Sequence, residues 1–213
     1  IWDNAYIIHD LTDHPDKLDN IFDVLKKYGN EDMVIEFTST SKISFPGSGV
    51  AALAASERNI KMITSRMTIQ TIGYDKLNQY RHVKFYKDVA GIKRYMKLHR
   101  AILAPKFKAV INEFESSLGG LGIARWTKPN GGYFISLDVL SGTAKRVGQL
   151  CEEAGVTLTT IGATFPHGID PEDKNIRIAP SFPPVDELMT ATKLLCICVK
   201  LAAVEKLLED EKE

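Results

Sequence analysis

The sequence predicts an α/β protein: the end of a larger domain of mixed sheet and helices, followed by a small α+β domain. Three observations predict it. Residues 2–9, 33–37 and 50–55 are short, apolar, β-prone runs, with a helical pattern between the first two. Residues 89–118 place apolar side chains on one side of a helix long enough to join two domains. Beyond that helix, short strand-like runs alternate with helical stretches. The expected organisation is therefore a large-domain portion over 1–88, an interdomain helix over 89–118 and a small domain over 119–213.

Each element has a local reason. Residues 2–9 read as a buried strand. Asp13-His14-Pro15-Asp16 then reads as a helix start, an N-cap followed by proline. Leu18, Ile21, Phe22 and Leu25 continue it at helical spacing, and Gly29 ends it. Residues 33–37 form a second strand. Residues 38–49 are dense in Ser, Thr, Gly and Pro and read as a loop. Residues 50–55, small and apolar, read as a third buried strand. From 56 to 86 the pattern is helical but broken, with a turn at Gly73. In the long helix, Ile92, Tyr95, Met96, His99, Leu103, Phe107, Val110 and Phe114 recur on one side. Pro105 should kink or interrupt it, and Gly119-Gly120 should close it. In the last part, strands are expected at 124–127, 133–139, 156–159 and 175–179, and helices at 142–153 and 185–208.

Composition excludes several classes. Lys plus Arg and Asp plus Glu both number 27, so the net charge is zero and the basic excess of a nucleic-acid binder is absent. No apolar run is long enough to suggest a membrane span. The 3 cysteines, Cys151, Cys196 and Cys198, match no zinc spacing, and no metal cluster is visible. They read as buried, reduced thiols of a cytoplasmic protein. The opening Ile1-Trp2-Asp3-Asn4-Ala5-Tyr6 reads as strand interior, which points to a natural chain that begins earlier.

Chemistry concentrates in a few segments. An aspartate in an apolar strand, Asp3, is a costly buried charge that needs a partner. Tyr6 follows it, and because strand side chains alternate, a turn must intervene for both to face one ligand. Ser39-Thr40-Ser41-Lys42 sits in a loop of small residues after the second strand. Arg177 lies in the strand Asn175-Ile176-Arg177-Ile178-Ala179.

Together with Pro129-Asn130-Gly131-Gly132-Tyr133-Phe134, these segments resemble fold-type I aminotransferases of class I, which depend on pyridoxal 5'-phosphate. The stretches Ile72-Gly73-Tyr74-Asp75-Lys76-Leu77-Asn78-Gln79-Tyr80-Arg81-His82 and Gly162-Ala163-Thr164-Phe165-Pro166 resemble the bacterial aspartate-aminotransferase-like subgroup grouped with MocR-type proteins. The resemblance covers almost the whole chain, but only the later half of a family subunit. It implies the C-terminal part of the cofactor-binding large domain, then the small domain.

The implied roles fit the chemistry. Lys42 would be the Schiff-base lysine and proton shuttle. Asp3 would pair with the pyridine nitrogen, so that the ring acts as an electron sink. Tyr6 would hydrogen-bond the phenolic oxygen. Ser39, helped by Ser41, would donate to the phosphate. Arg177 would grip the substrate α-carboxylate through its two-pronged guanidinium. The implied reaction is amino transfer between an amino acid, aspartate or another acidic one, and a 2-oxo acid, in a homodimer.

Three rival readings stand beside it. One is a lyase or decarboxylase on the same scaffold. Another is the effector-sensing domain of a MocR-type regulator, which would require a DNA-binding domain before Ile1. The third is a structural remnant without activity.

One position departs from the resemblance. Pro46-Gly47-Ser48-Gly49-Val50 puts Gly49 where many relatives carry a phosphate-binding Arg. Among the remaining residues, Asn78, Arg81 and His82 read as facing solvent rather than a substrate. Gly131-Gly132 either brings backbone close to a ligand or only makes a turn. His167 reads as exposed, and Met62 and Met67 as packing residues.

Overall fold

The structure, a computed structural model, describes residues 1–212. The chain forms two compact units, Ile1–His99 and Arg100–Glu213.

In the first unit, β1 (Trp2–Asp3) pairs in parallel with β2 (Ile35–Ser39), which pairs antiparallel with β3 (Ala51–Ala55), in the order β1-β2-β3. The sheet is therefore mixed. The expected strand over 2–9 stops at Asp3, whose Oδ1 accepts a hydrogen bond from the Ala5 N–H at 3.0 Å. This side-chain bond offers the backbone a turn instead of the ladder. The chain then turns through residues 5–8. Nor are the outer strands buried: Trp2, Asp3, Ala51, Ala52 and Ala54 are all exposed.

The first helix also differs from expectation. Residues 13–20 are irregular, and α1 spans only Ile21–Lys26, capped by Asn20 Oδ1 on the Phe22 N–H. Asn20 supplies the cap acceptor that was expected within residues 13–16. A 3-10 turn at Glu31–Met33 takes up the start of the second expected strand, delaying β2 to Ile35. Two helices follow, α2 (Glu57–Gln70) and α3 (Lys76–Tyr86), with Gly73 in the connection between them. Their caps are Ser56 Oγ on the Asn59 N–H and Asp75 Oδ1 on the Asn78 N–H. Met62, expected as packing, is exposed on α2, which buries no residue completely.

Helix α4 (Val89–Leu118) runs through Pro105 without interruption. The boundary between the two units falls within it. In the first unit its Met96 packs with Ile43 and Tyr86, and Ile8, Ile92 and Tyr95 close around them.

In the second unit Leu103, Phe107, Val110, Phe114 and Leu118 of α4 are buried, one or two per turn. An antiparallel sheet follows in the order β4 (Ala124–Trp126), β5 (Ile135–Val139) and β6 (Asn175–Ile178), and Phe114 meets Trp126 of β4 with ring centres 5.5 Å apart. On β5 the alternation is strict: Ile135, Leu137 and Val139 are buried, Ser136 and Asp138 are not. Helices α5 (Ala144–Glu153) and α6 (Val185–Asp210) complete this unit. They are tied by Arg146, whose Nε and Nη2 donate to Glu205 at 2.7 and 2.9 Å. The strand expected over 156–159 does not form. The Val156 N–H is spent on the carbonyl of Cys151, closing the end of α5.

All three cysteines are free and buried, and burial pushes the Cys151 and Cys196 thiols up to about 12. Among the described residues no helix is long and apolar enough to cross a membrane.

Candidate active site

The carboxyl ends of β1 and β2 lie side by side, because the two strands are parallel. Asp3 is in register with Phe37. Side chains on one face recur every second residue, so Asp3, Phe37 and Ser39 share a face. Given a strand spacing of about 4.8 Å and a rise of about 3.3 Å per residue, the Asp3 and Ser39 Cα atoms lie about 8 Å apart. Asp3 is exposed rather than buried, so its charge does not by itself demand a partner. The opposite face ties the strands together, with the Asn4 side chain donating to Glu36 and the Thr38 hydroxyl donating to the Asn4 carbonyl at 3.4 Å.

Lys42 follows β2 in a single helical turn. The Ile43 and Ser44 N–H groups both donate to the Thr40 carbonyl at 2.9 Å. Within the turn Ser39 Oγ accepts from the Ser41 N–H at 3.4 Å. The Lys42 residue is exposed while the next two, Ile43 and Ser44, are buried. The turn is thus anchored by its apolar side and presents the amine to solvent.

Three polar side chains hold this turn from behind. His9, 2% exposed, lies with Nε2 3.0 Å from the Lys42 carbonyl oxygen. A carbonyl only accepts, so Nε2 carries the proton and donates. His9 also stacks edge-on against Tyr6, with ring centres 5.6 Å apart. The segment after β1 and the Lys42 turn are therefore in direct contact, and a turn does separate Asp3 from Tyr6.

His82 of α3 supports the other end. Its Nδ1 donates to the Asn78 carbonyl at 2.9 Å, which leaves Nε2 to accept from the Thr40 hydroxyl at 2.9 Å. Thr40 Oγ1 in turn accepts from the Val50 N–H. Asn78 Nδ2 donates to the Ser48 carbonyl at 2.7 Å. The expectation that Asn78 and His82 face solvent is thus incorrect: His82 is buried, and both pin the Lys42 loop. Arg81 is exposed, as expected, with its guanidinium 5.8 Å from the Phe45 ring centre.

The glycine at 49 has a steric cause. A Cβ built there would lie 2.6 Å from Ser41 Oγ and 3.1 Å from the Ser41 N. A side chain at 49 would require the Ser41 hydroxyl to rotate away and the Ser41 backbone to give by a few tenths of an ångström.

Arg177 lies on β6 in the second unit, paired with Ser136 of β5. Its guanidinium carbon stands 4.7 Å from the centre of the Phe134 ring. Its Nε is buried with no hydrogen-bond partner among the described residues. The neighbouring Asn175 is fixed by bonds to Ser136 Oγ at 2.9 Å and Asp138 Oδ1 at 2.7 Å. Gly132 turns the chain toward β5 with φ of +90°.

A sequence profile described as aspartate amino-transferase matches residues 1–211. The chain belongs to that family. A relative from Mycolicibacterium smegmatis is 46% identical over 211 residues, 99% of this chain and 49% of its own length. The aspartate aminotransferase of Corynebacterium glutamicum is 46% identical over 205 residues, 96% of this chain and 48% of that protein. A crystal structure of an aspartate transaminase from the same species superposes with a TM-score of 0.92, covering 96% of this chain and 48% of that one. The α-aminoadipate aminotransferase of Thermus thermophilus, at 19% identity and a TM-score of 0.76, shares the fold. The chain spans about half the length of the curated relatives it matches. The predicted α/β class is thus that of the aspartate amino-transferase family.

Sequence reasoning picked out Asp3, Tyr6, Ser39, Ser41 and Lys42 but not His9, Thr40 or the supporting role of His82. The only available signal was polarity in otherwise apolar surroundings, as with His9 after Tyr6-Ile7-Ile8.

Proposed function

We propose that this chain carries the lysine half of a pyridoxal 5'-phosphate site, in an enzyme that moves an amino group from an amino acid to a 2-oxo acid. Aspartate or another acidic amino acid is the proposed donor, and the working form is a cytoplasmic homodimer. Residues 1–88 are read as the end of the cofactor-binding domain, 89–118 as the interdomain helix and 119–213 as the small domain.

The observation that carries the reading is the juxtaposition at the ends of β1 and β2. An exposed carboxylate and a serine hydroxyl share a face at the ends of these strands, and His9 joins a phenol to the turn that presents one lysine. This donor set matches the cofactor group by group: amine to aldehyde, carboxylate to ring nitrogen, phenol to ring oxygen, hydroxyls to phosphate. The tight approach of Gly49 to Ser41 leaves backbone where a side chain would fill the loop. Family membership supports the same assignment, and three free thiols support a reducing compartment.

When bound, pyridoxal phosphate supplies a ring that accepts electrons from the substrate's α-carbon. Asp3 would hold the positive charge on the ring nitrogen, and Tyr6 would donate to the ring oxygen. Ser39 and Ser41 would hold the phosphate by hydroxyl donation. Lys42 Nζ would take the proton from the α-carbon. Arg177 would orient the substrate by its α-carboxylate through its guanidinium N–H groups.

Product analysis tests the reaction. The full-length protein, given aspartate and 2-oxoglutarate, is expected to form glutamate. A lyase or decarboxylase would consume aspartate without forming glutamate, and that outcome would overturn the transamination reading.

A further inference from the structure

We propose that His9 is a positioning residue for Lys42: it fixes the main chain of the lysine turn so that the amine projects in one direction. The inference rests on the reading of Lys42 as the lysine that bonds the cofactor. Three observations lead to it.

His9 is almost completely buried, yet it spends its Nε2–H on a backbone carbonyl that belongs to no helix or strand. The carbonyl is that of Lys42 itself. The imidazole therefore acts on one of the two peptide units that flank the lysine Cα and set the direction of its side chain.

The ring is itself held. Tyr6 meets it edge-on at 5.6 Å, and the His99 ring of α4 stands at 6.4 Å on a near-perpendicular plane. His99 in turn lies against the backbone of Ile43 and stacks on Tyr95 at 4.9 Å. Two successive residues of the turn, 42 and 43, are thus met by two imidazoles from two different elements. A buried donor aimed at a carbonyl resists displacement, because a substitute that cannot donate leaves the carbonyl unsatisfied.

The contact also couples two parts of the site. Tyr6 and Lys42 lie on different segments, and His9 touches both. A change at His9 moves the phenol and the amine together, which neither the strand register nor the turn's own hydrogen bonds would do.

The test uses the full-length protein loaded with pyridoxal phosphate, and three variants. His9→Phe keeps the ring bulk but has no donor. His9→Asn keeps a polar group too short to reach the Lys42 carbonyl. His9→Gln places its amide N–H near the position of Nε2. The readouts are the pH midpoint of the absorbance of the lysine-bound cofactor, and kcat against KM. His9→Phe and His9→Asn are expected to shift the midpoint by roughly one unit. They should lower kcat by roughly tenfold to a hundredfold, the scale of a misplaced reacting group, with KM for the amino acid little changed. His9→Gln should restore both. If either deficient variant folds and keeps the wild-type midpoint and kcat, or if folded His9→Gln fails to restore them, the proposal is overturned. A wild-type protein that forms no lysine-bound cofactor would instead refute the underlying reading, and this proposal with it. That result appears in the control alone, so the two failures are distinguishable.

Discussion

The guanidinium carbon of Arg177 stands 4.7 Å from the centre of the Phe134 ring, and the residue's Nε is buried without a hydrogen-bond partner among the described residues. The aromatic face fixes the plane of the guanidinium. In the second unit this is the one candidate site side chain, and its geometry makes a graded prediction. Phe134→Leu keeps apolar bulk but removes the π face, and should raise KM for the amino acid about threefold to tenfold with kcat nearly unchanged. Arg177→Ala should raise KM about a hundredfold or more while the cofactor stays bound. Steady-state kinetics with a cofactor absorbance check separates these. Loss of cofactor as the main effect of Arg177→Ala would remove its substrate role.

Gly49 gives a prediction of opposite sense to family intuition. An Arg introduced there should not supply a missing phosphate cation. The built Cβ already lies 2.6 Å from Ser41 Oγ, so Gly49→Ala and Gly49→Arg should both strain the Lys42 loop. Overpacking of this kind costs about 1–3 kcal/mol. Thermal unfolding should show a lowered Tm, and dialysis should show weaker cofactor retention in both variants. Tighter retention in Gly49→Arg would contradict the steric account.

Acid should destabilise the two units over different pH ranges. His99 in the first unit is half-buried and faces His9; partial desolvation and the neighbouring imidazole together hold its pKa below 6.5, although the Ile43 backbone opposes the shift. Its neutral form is favoured by folding. The unfolded chain therefore binds more protons at His99, and stability falls as pH drops from about 6.5 through the lower folded value.

Asp170 in the second unit is buried, which by itself raises its pKa. The N–H groups of Asn175, Lys174 and Glu172, donating at 2.8, 2.8 and 3.0 Å, outweigh that and hold it below 3.8. Its stabilisation is present above 3.8 and lost as pH falls through the folded value. Unfolding followed by probes in each unit should show the first unit weakening at mildly acidic pH. Asp170→Asn, which removes acceptor capacity, should cost about 1–3 kcal/mol at neutral pH and flatten the second loss.

The legible and the hidden parts of this site differ physically. Lys42, Ser39 and Asp3 stand in short local patterns, so residue type and spacing alone point to them. Helices α4 and α6 were legible for the same reason, since periodicity is local. His9 and His82 act through bonds to Lys42 and Thr40, across separations that only the folded chain sets. Residues 2–9 misled because their apolar run resembles a strand, whereas the Asp3 side chain turns the chain at Ala5. The run at 50–55 was read as buried from its composition, yet small apolar residues also form exposed strands. At 156–159 the β-branched residues signalled a strand, but the helix end claimed the Val156 N–H first.

The most direct test of the account is the location of the cofactor bond. Borohydride reduction of the full-length protein followed by peptide mapping should place the pyridoxyl group on Lys42, and Lys42→Ala should carry none. A label on any other lysine, or an unlabelled wild-type protein saturated with pyridoxal phosphate, would contradict it.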